Sequence, residues 1–229
     1  MKILAMDTAA AACSVALWDT DHISQHDFQE MSRGHAAELI PIVQGVLDKA
    51  GLGIEGLDAL AVTIGPGAFT GLRIGLSSAR GFATASGLAV IGVTTLESLS
   101  RAVPFSERKA MPLLCCLDAK RADIYAQVFD DMGQALGEPV ARLPDDVLSL
   151  LPEKSGPVLV AGDCYERMRE ALNSKGYEAH QSSAYLPDAR FVAEIAAERG
   201  LKDYKGVPSA LYIRPPDAAL PKNGGRLRP

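Results

Sequence analysis

The sequence has no long apolar run, no basic block before its last few residues and no Cys-x-x-Cys pair. A membrane-spanning helix needs about 20 apolar residues in succession, so we predict no membrane segment. The net charge is −5, whereas a free-standing nucleic-acid-binding protein normally presents a basic face. Any contact with nucleic acid is therefore expected through a partner. Four cysteines are predicted to be buried free thiols, as in a reducing, cytoplasmic location: Cys13, Cys115, Cys116 and Cys164.

Two phosphate-binding fingerprints are missing from the most distinctive stretch of the chain, GPGAFTGLRIG at 65–75. No Gly-Lys-Ser/Thr follows its glycines, and their spacing is not that of the dinucleotide fingerprint. An apolar, strand-like run precedes the stretch and a helix-like segment, 76–86, follows it. A strand-to-helix turn offers free N–H groups and the positive end of a helix dipole to an anion. From the residues alone we favour a tight packing turn, and the anion site stays an alternative.

Small residues recur at three- and four-residue spacing along this helix-like segment, so one of its faces is predicted to be flat. A flat face allows another helix to approach closely, either from this chain or from a second one. The residues that define the face are Gly71, Gly75, Ser78 or Ala79, and Phe82.

The order of predicted elements suggests an internal duplication. The first half is predicted as β-β-β-α-β-α-β-α, and a polar stretch at 104–112 interrupts the pattern. The second half opens in the same way, with a strand, an Asp, a turn and two further strands. Three antiparallel strands with an Asp at the end of the first are typical of a ribonuclease-H-like or actin-like core. We therefore predict an α/β fold with lobes at 1–103 and 104–214, the last helix being free to pack back on the first lobe. A Pro- and Gly-rich flexible tail is predicted at 215–229.

The two strand-end carboxylates, Asp7 and Asp118, have two interpretations. An Asp at such a position often only forms a turn, or it can orient a Mg²⁺-bound water beside a nucleotide. A vestigial nucleotide site would contain Asp7, Thr8, Gly67 and Asp118, although no bound cofactor is predicted and ATP binding remains an alternative.

The histidines do not predict a metal site. His22 and His26 are four residues apart, but they lie in a strand-like stretch with polar neighbours. His35 stands alone at a helix start, where a capping or core role is commoner than metal ligation. Two histidines on one helix face, as in common zinc motifs, are not found.

Six motifs resemble the bacterial TsaB (YeaZ) family across nearly all of residues 1–200. The most specific is the glycine-rich stretch; the set comprises 3–8 with 13–17, 35–41, 65–75, 94–97, 117–121 with 124–125, and 162–163. The resemblance implies an actin-like ATPase (ASKHA) fold with two related lobes. It also implies a scaffold role in threonylcarbamoylation of N6 of the adenosine beside the anticodon, in tRNAs that read codons beginning with A.

In that family the catalytic subunit is the paralogue TsaD, which binds its metal through a two-histidine motif, and a small ATPase, TsaE, joins the pair. The resemblance places the partner surface on the helix after the glycine turn. When TsaD is absent, we predict a homodimer through the same helix, because exposed apolar patches favour association. The implied interface residues are Phe69, Thr70, Gly71, Leu72, Ile74, Gly75, Ser78, Ala79 and Phe82. Transfer RNA would be contacted indirectly, through the complex.

Two other functions stay open at this point. One is an independent actin-like ATPase or small-molecule kinase, which would bind ATP with Mg²⁺. The residues at 9–12 are weak evidence against an ATPase or kinase, because alanines offer no hydroxyl or basic group to a phosphate. The other is a peptidase, as the M22 label of some family members suggests, but the sequence shows no local nucleophile–base pair.

Overall fold

A computed structural model describes residues 1–152, 156–201, 206 and 208–214. These residues form two five-stranded sheets. The predicted flexible tail at 215–229 lies outside the described residues.

The first sheet has the strand order β3-β2-β1-β4-β5. Strands β1, β2 and β3 are antiparallel neighbours, and β4 and β5 run parallel to β1. The strands are β1 Lys2–Ala10, β2 Ala12–Asp19, β3 His22–Glu30, β4 Ala59–Gly65 and β5 Ala89–Thr94. The helices of this half are α1 His35–Ala50, α2 Phe69–Ser86, α3 Thr95–Ala102 and the single turn α4 Phe105–Arg108.

The second sheet repeats that arrangement as β8-β7-β6-β9-β10. Strand β7 is antiparallel to β6, and β8 is antiparallel to β7, whereas β9 and β10 run parallel to β6. The strands are β6 Leu113–Asp118, β7 Ile124–Phe129, β8 Val140–Arg142, β9 Pro157–Ala161 and β10 Glu178–Gln181. The helices are α5 Pro144–Val147, α6 Tyr165–Ser174 and α7 Ala189–Arg199. The repeated order is that of the ribonuclease-H-like core, so the predicted actin-like fold with two related lobes is confirmed.

Alternation along β1 explains how the first sheet is covered. Leu4 and Met6 point to one face, where they pack with apolar residues of α1 and α2. Ile3 and Ala5 point to the other face and pack against α7. The helix α7 follows the second sheet in the chain but covers the first one, while α3 follows the first sheet and packs on β6 and β7 of the second.

Three elements differ from the sequence-based prediction. The first strand does not stop before Asp7 but continues to Ala10, with a register shift after Asp7. The third strand predicted for the second half, at 134–141, is reduced to β8, and β10 was not predicted. Helix α2 runs from Phe69 to Ser86, so the helix predicted after the glycine turn is confirmed and includes the second half of the glycine-rich stretch. The division of the chain at residue 103 stays a prediction. None of the described helices is long and apolar enough to cross a membrane.

Candidate partner surface and interlobe cleft

The glycine-rich turn, which connects β4 to α2, packs α2 directly against β1 at van der Waals distance. A Cβ atom on Gly71 would overlap the carbonyl oxygen of Thr8, and one on Gly67 would overlap that of Ala9. Two hydrogen bonds fasten the same contact: the Thr8 hydroxyl donates to the carbonyl of Gly71 at 2.7 Å, and the N–H of Ala68 donates to that of Ala9 at 2.8 Å. Glycine is required at these positions because the helix lies directly on the strand. The flat face of α2 therefore packs against a strand of its own chain.

The structure divides the predicted interface residues into two groups. Four are buried beneath the helix: Gly71, Leu72, Gly75 and Ala79. Phe69 and Thr70 are exposed, and three are partly exposed: Ile74, Ser78 and Phe82. In this conformation only the second group can contact another molecule, and the interface itself stays a prediction.

Helix α1 extends the exposed surface beside α2, since both helices pack on the same face of the first sheet. Ile40 of α1 is 48% exposed and adds a large apolar side chain to this surface. Helix α2 carries two arginines, Arg73 and Arg80, and no acidic residue. We call the outward side of α1 and α2 the helix surface.

A segment near the C-terminus, residues 208–214, lies along one edge of α2; we call it the strap. The N–H of Leu211 donates to the carbonyl of Ile64 at the end of β4, at 2.7 Å. The ring of Tyr212 lies 5.4 Å from that of Phe69. The guanidinium of Arg73 covers the Phe69 ring at 3.7 Å and donates to the Tyr212 hydroxyl at 3.4 Å. The strap thus forms an aromatic and cationic cluster with the first turn of α2.

A cleft of about 930 Å³ lies between the lobes. The first lobe contributes the alanines at 9–11, the glycine turn and the start of α2, and the strap forms part of the rim. The second lobe contributes Asp118, Lys120 and Asp163. Of the predicted nucleotide-site residues, Gly67 and Asp118 line this cleft, whereas Asp7 and Thr8 do not.

Asp7 is sealed inside the first lobe, at 0% exposure. Its Oδ1 accepts hydrogen bonds from the Thr63 hydroxyl at 2.6 Å and from the N–H of Ala9 at 3.3 Å, but its buried Oδ2 has no hydrogen-bond partner among the residues that the structure describes. Burial raises the pKa of Asp7 to about 6, against the opposing hydrogen bond from Thr63. A carboxyl group so enclosed cannot reach a ligand in the cleft without movement of the turn.

Asp118, the corresponding residue of the second lobe, opens onto the cleft. Its carboxylate pairs with Lys120 at 3.1 Å and with Arg167 at 3.5 Å. Its backbone N–H donates to Asp163 at 2.7 Å. Burial raises the pKa of Asp163, and the hydrogen bond from Asp118 opposes that effect. On the side of the second lobe the cleft therefore presents charged groups, whereas on the side of the first lobe it presents the alanines at 9–11 together with polar side chains such as Ser32, His35 and Arg73.

The structure brings a serine, a histidine and an aspartate together at the start of α7, but not as a catalytic triad. His26 pairs with Asp188 at 2.9 Å. Ser14 is fully buried, and its hydroxyl oxygen accepts the N–H of Ala189 at 2.9 Å. A nucleophile must reach a substrate, and this hydroxyl is enclosed. The three residues anchor α7 to β2 and β3.

The remaining histidines are apart from one another. His22 pairs with Asp21 at the start of β3, and the His35 ring lies 3.1 Å from the carbonyl oxygen of Ala10. Positions four apart on a strand are separated by about 13 Å, which is too far for His22 and His26 to share one ion. Within the described part of the chain, no group of three or more His, Cys, Asp or Glu side chains is placed to hold a metal.

Sequence reasoning missed the strap and its contacts. The positions that meet are far apart in the chain: Arg73 and Tyr212 are separated by 139 residues. The only signal in the sequence is the apolar run at 211–213 just before the predicted tail, and it does not indicate what the run packs against.

Comparison with known proteins extends over both lobes. A family model described as TsaD, tRNA N6-adenosine threonylcarbamoyltransferase, matches residues 29–197. The tRNA threonylcarbamoyladenosine biosynthesis protein TsaB of Escherichia coli K12 is 32% identical over 202 residues, 86% of this chain and 87% of that protein. TsaB of Haemophilus influenzae is 30% identical over 230 residues, 94% and 92% of the two chains. The solved structure of YeaZ from Pseudomonas aeruginosa superposes with a TM-score of 0.76 at 27% identity, covering 92% of this chain and 99% of that one.

Proposed function

The chain belongs to the TsaB family of tRNA threonylcarbamoyladenosine biosynthesis proteins, and on that premise we propose that it is a non-catalytic scaffold subunit. It heterodimerises with a TsaD-like transferase and so supports threonylcarbamoylation of N6 of an adenosine in tRNA. The observation that carries the proposal is the similarity to TsaB proteins across nearly the whole chain.

The helix surface is the proposed site of association. It carries exposed or partly exposed apolar side chains on two adjacent helices, including Ile40, Phe69 and Ile74. Burial of such side chains stabilises an assembly by about 25 cal/mol per Å² before association costs are subtracted. In the absence of the transferase, the same surface is proposed to form a homodimer, since exposed apolar patches favour association.

A TsaE-like ATPase joins the complex in this proposal, and tRNA is held by the complex instead of by this chain alone. The net charge of −5 supports the second statement, because a large direct contact with tRNA requires a basic face. The subunit acts without a cofactor of its own.

The geometry of the first lobe supports the absence of catalysis. Asp7 is sealed, the Thr8 hydroxyl is engaged by Gly71, and the next residues of the same strand and turn, 9–11 at the cleft, are alanines. These groups offer a phosphate or a metal ion little to bind. An independent ATPase is the second candidate, and the cleft of about 930 Å³ is the one observation in its favour.

The test is size-exclusion chromatography with light scattering, on the chain alone and mixed with the TsaD homologue of the same organism. We expect a homodimer that converts to a heterodimer, with transferase activity only in the presence of the partner. If the chain ignores the partner or transfers the group alone, the proposal is wrong. Titration with ATP and Mg²⁺ would then test the second candidate.

A variant on the helix surface locates the contact. Ile40→Asp places a charge at an exposed position of α1, where the side chain is 48% exposed, and should weaken both assemblies by at least tenfold. Leu136→Asp is the matched control, because Leu136 is 53% exposed on the second lobe and the substitution makes the same chemical change. Gly75 and Ala79 are unsuitable for this purpose, since they are buried against the chain's own sheet and a charge there would unfold the protein.

A further inference from the structure

The strap is attached to both lobes. On the first lobe it is fixed by the backbone hydrogen bond from Leu211 and by the cluster of Tyr212 with Phe69 and Arg73. Two residues further along, Arg214 forms an ion pair at 3.4 Å with Asp123, at the end of the connection from β6 to β7 in the second lobe. This connection, residues 119–123, begins directly after Asp118 at the cleft floor. Four residues of the strap, 211–214, thus line the cleft and reach from one lobe to the other.

The strap also borders the helix surface. Phe69 is 49% exposed and Tyr212 is 48% exposed, so their shared cluster presents a continuous face at the first turn of α2. The strap engages both arginines of the helix: Arg73 donates to the Tyr212 hydroxyl, and Arg80 donates to the carbonyl oxygen of Pro208 at 3.4 Å. Both bonds are long, which makes them weak.

We propose that the strap couples the helix surface to the interlobe cleft, so that a protein docking on α2 changes the order of the 119–123 connection in the other lobe. The inference rests on the proposed function only for the identity of that docking protein. The favoured docking surface carries carboxylates near the first turn of α2. A carboxylate forms a stronger hydrogen bond with a guanidinium than a neutral phenol or carbonyl does, so it takes Arg73 or Arg80 from the strap.

The direction of the coupling follows from the anchors. When Arg73 turns to the partner, Tyr212 loses its hydrogen bond and the strap is held on the first lobe by fewer contacts. A loosened strap holds Arg214 less firmly against Asp123, and the 119–123 connection becomes more mobile. The ion pair is about one-third exposed on each side, so its own contribution is small. The expected change in amide exchange is therefore about twofold to fivefold.

The first experiment uses the full chain alone and hydrogen–deuterium exchange with peptide resolution. Arg214→Gln should speed exchange about twofold to fivefold in residues 119–123 and leave Leu211 protected. Tyr212→Leu should speed exchange at both places, because it detaches the strap from α2. Tyr185→Leu is the matched control: Tyr185 is 52% exposed on the second lobe and should change neither region. Unchanged exchange at 119–123 in both strap variants overturns the proposal, whatever the partner is.

The second experiment repeats the exchange measurement in the complex with the TsaD homologue. Binding to the wild-type chain should speed exchange at 119–123, while binding to Arg214→Gln should occur with an affinity within about threefold of wild type and cause no further change there. If the wild-type chain binds and its 119–123 connection does not respond, the coupling is wrong and the proposed function stands. If the wild-type chain does not bind at all, the proposed function fails, and the first experiment alone decides whether the strap links the lobes.

Discussion

The two lobes share one strand order, but the carboxylate near the end of the first strand is enclosed in one lobe and open to the cleft in the other. In the first lobe Asp7 is fully buried, with one oxygen unpaired, whereas in the second Asp118 lies at the cleft and pairs with two cations. The difference arises from the turn after the fourth strand of each sheet. Gly67 and Gly71 bring α2 onto β1 and close the first lobe, while Gly162 makes a single close approach to Cys116 and leaves Asp118 open.

The proposed function uses the two halves of this duplicated fold differently. The first lobe uses its turn to fix an 18-residue helix whose outer side is exposed, which suits association. The second lobe has a shorter helix at the equivalent place, α6 with 10 residues, and keeps a polar group at the cleft. Closing the first lobe has a cost, because the buried Oδ2 of Asp7 has no hydrogen-bond partner among the described residues.

The largest predicted effect comes from opening the closed lobe. Gly71→Ala places a Cβ against the carbonyl oxygen of Thr8, so α2 must move away from β1. Overpacking against a backbone atom costs about 3 kcal/mol, and urea denaturation should show a loss of that size. Gly81→Ala on the same helix is the control, since no atom lies within 4 Å of its Cβ position. The control should be neutral or stabilised by about 1 kcal/mol; equal loss in both variants would remove packing as the reason for Gly71.

The sequence predicted the small face of α2 but not the element that it contacts. Small residues at three- and four-residue spacing identify one side of a helix. The pattern fits packing against a helix of this chain as well as against a helix of a partner. The actual contact is a strand 63 residues away from Gly71. The duplicated strand–Asp–turn order was predictable because it is local, whereas the burial of Asp7 depends on how α2 packs. The strap was missed for the same reason, because its anchors come from distant parts of both lobes.

The anchor of α7 provides the next test, because this helix of the second half covers the sheet of the first. Asp188 is buried, accepts hydrogen bonds from His26 and Arg190, and caps the helix at the N–H of Arg190. Burial alone would raise the pKa of Asp188, but these hydrogen bonds outweigh it and lower the value. Its stabilising effect is therefore present at neutral pH and is lost as the pH falls through the lowered pKa. Asp188→Asn should cost about 2 kcal/mol at pH 7.

Urea denaturation of this variant at several pH values checks that prediction. The difference in free energy of unfolding between wild type and Asp188→Asn should become smaller in acid, where the wild-type carboxylate becomes protonated. Ser98→Ala is a useful control, since the Ser98 hydroxyl donates to the backbone carbonyl of Asp188 and not to its carboxylate. If the loss of stability in Asp188→Asn stays constant across the acid range, the shape of the Asp188 side chain, and not its charge, holds α7 in place.

The sealed carboxyl group predicts an unusual gain of stability. The pKa of Asp7 is raised to about 6 from 3.8, so the folded state favours the protonated form. The contribution of Asp7 is fully present below its unfolded pKa and is lost as the pH rises through about 6. Asp7→Asn has no proton to lose, so its stability relative to wild type should increase between pH 4 and 7. After the cost of an unpaired amide N–H group, we expect a gain of about 1 kcal/mol at pH 8.

Thr63→Val is a second test of the pH dependence that Asp7 gives to the stability of the protein. The Thr63 hydroxyl donates to Asp7 and lowers its pKa, so its removal should steepen the loss of stability above pH 6 in the wild-type background. In the Asp7→Asn background the substitution should have no pH dependence. Parallel curves for wild type and Asp7→Asn from pH 4 to 8 would show that the first lobe does not enclose this carboxyl group.

The smallest predicted effect concerns the matching carboxylate of the second lobe. Asp118→Asn removes the ion pairs with Lys120 and Arg167 but retains an oxygen for the N–H of Lys120. Because the side chain of Asp118 is 31% exposed, water replaces much of what the ion pairs provide, and the expected loss is below about 0.5 kcal/mol. Urea midpoints at pH 7 for Asp118→Asn and Asp7→Asn should therefore move little and in opposite directions. A loss of stability above 2 kcal/mol for Asp118→Asn would mean that both lobes enclose their carboxylates. The contrast between a closed first lobe and an open second lobe would then be wrong.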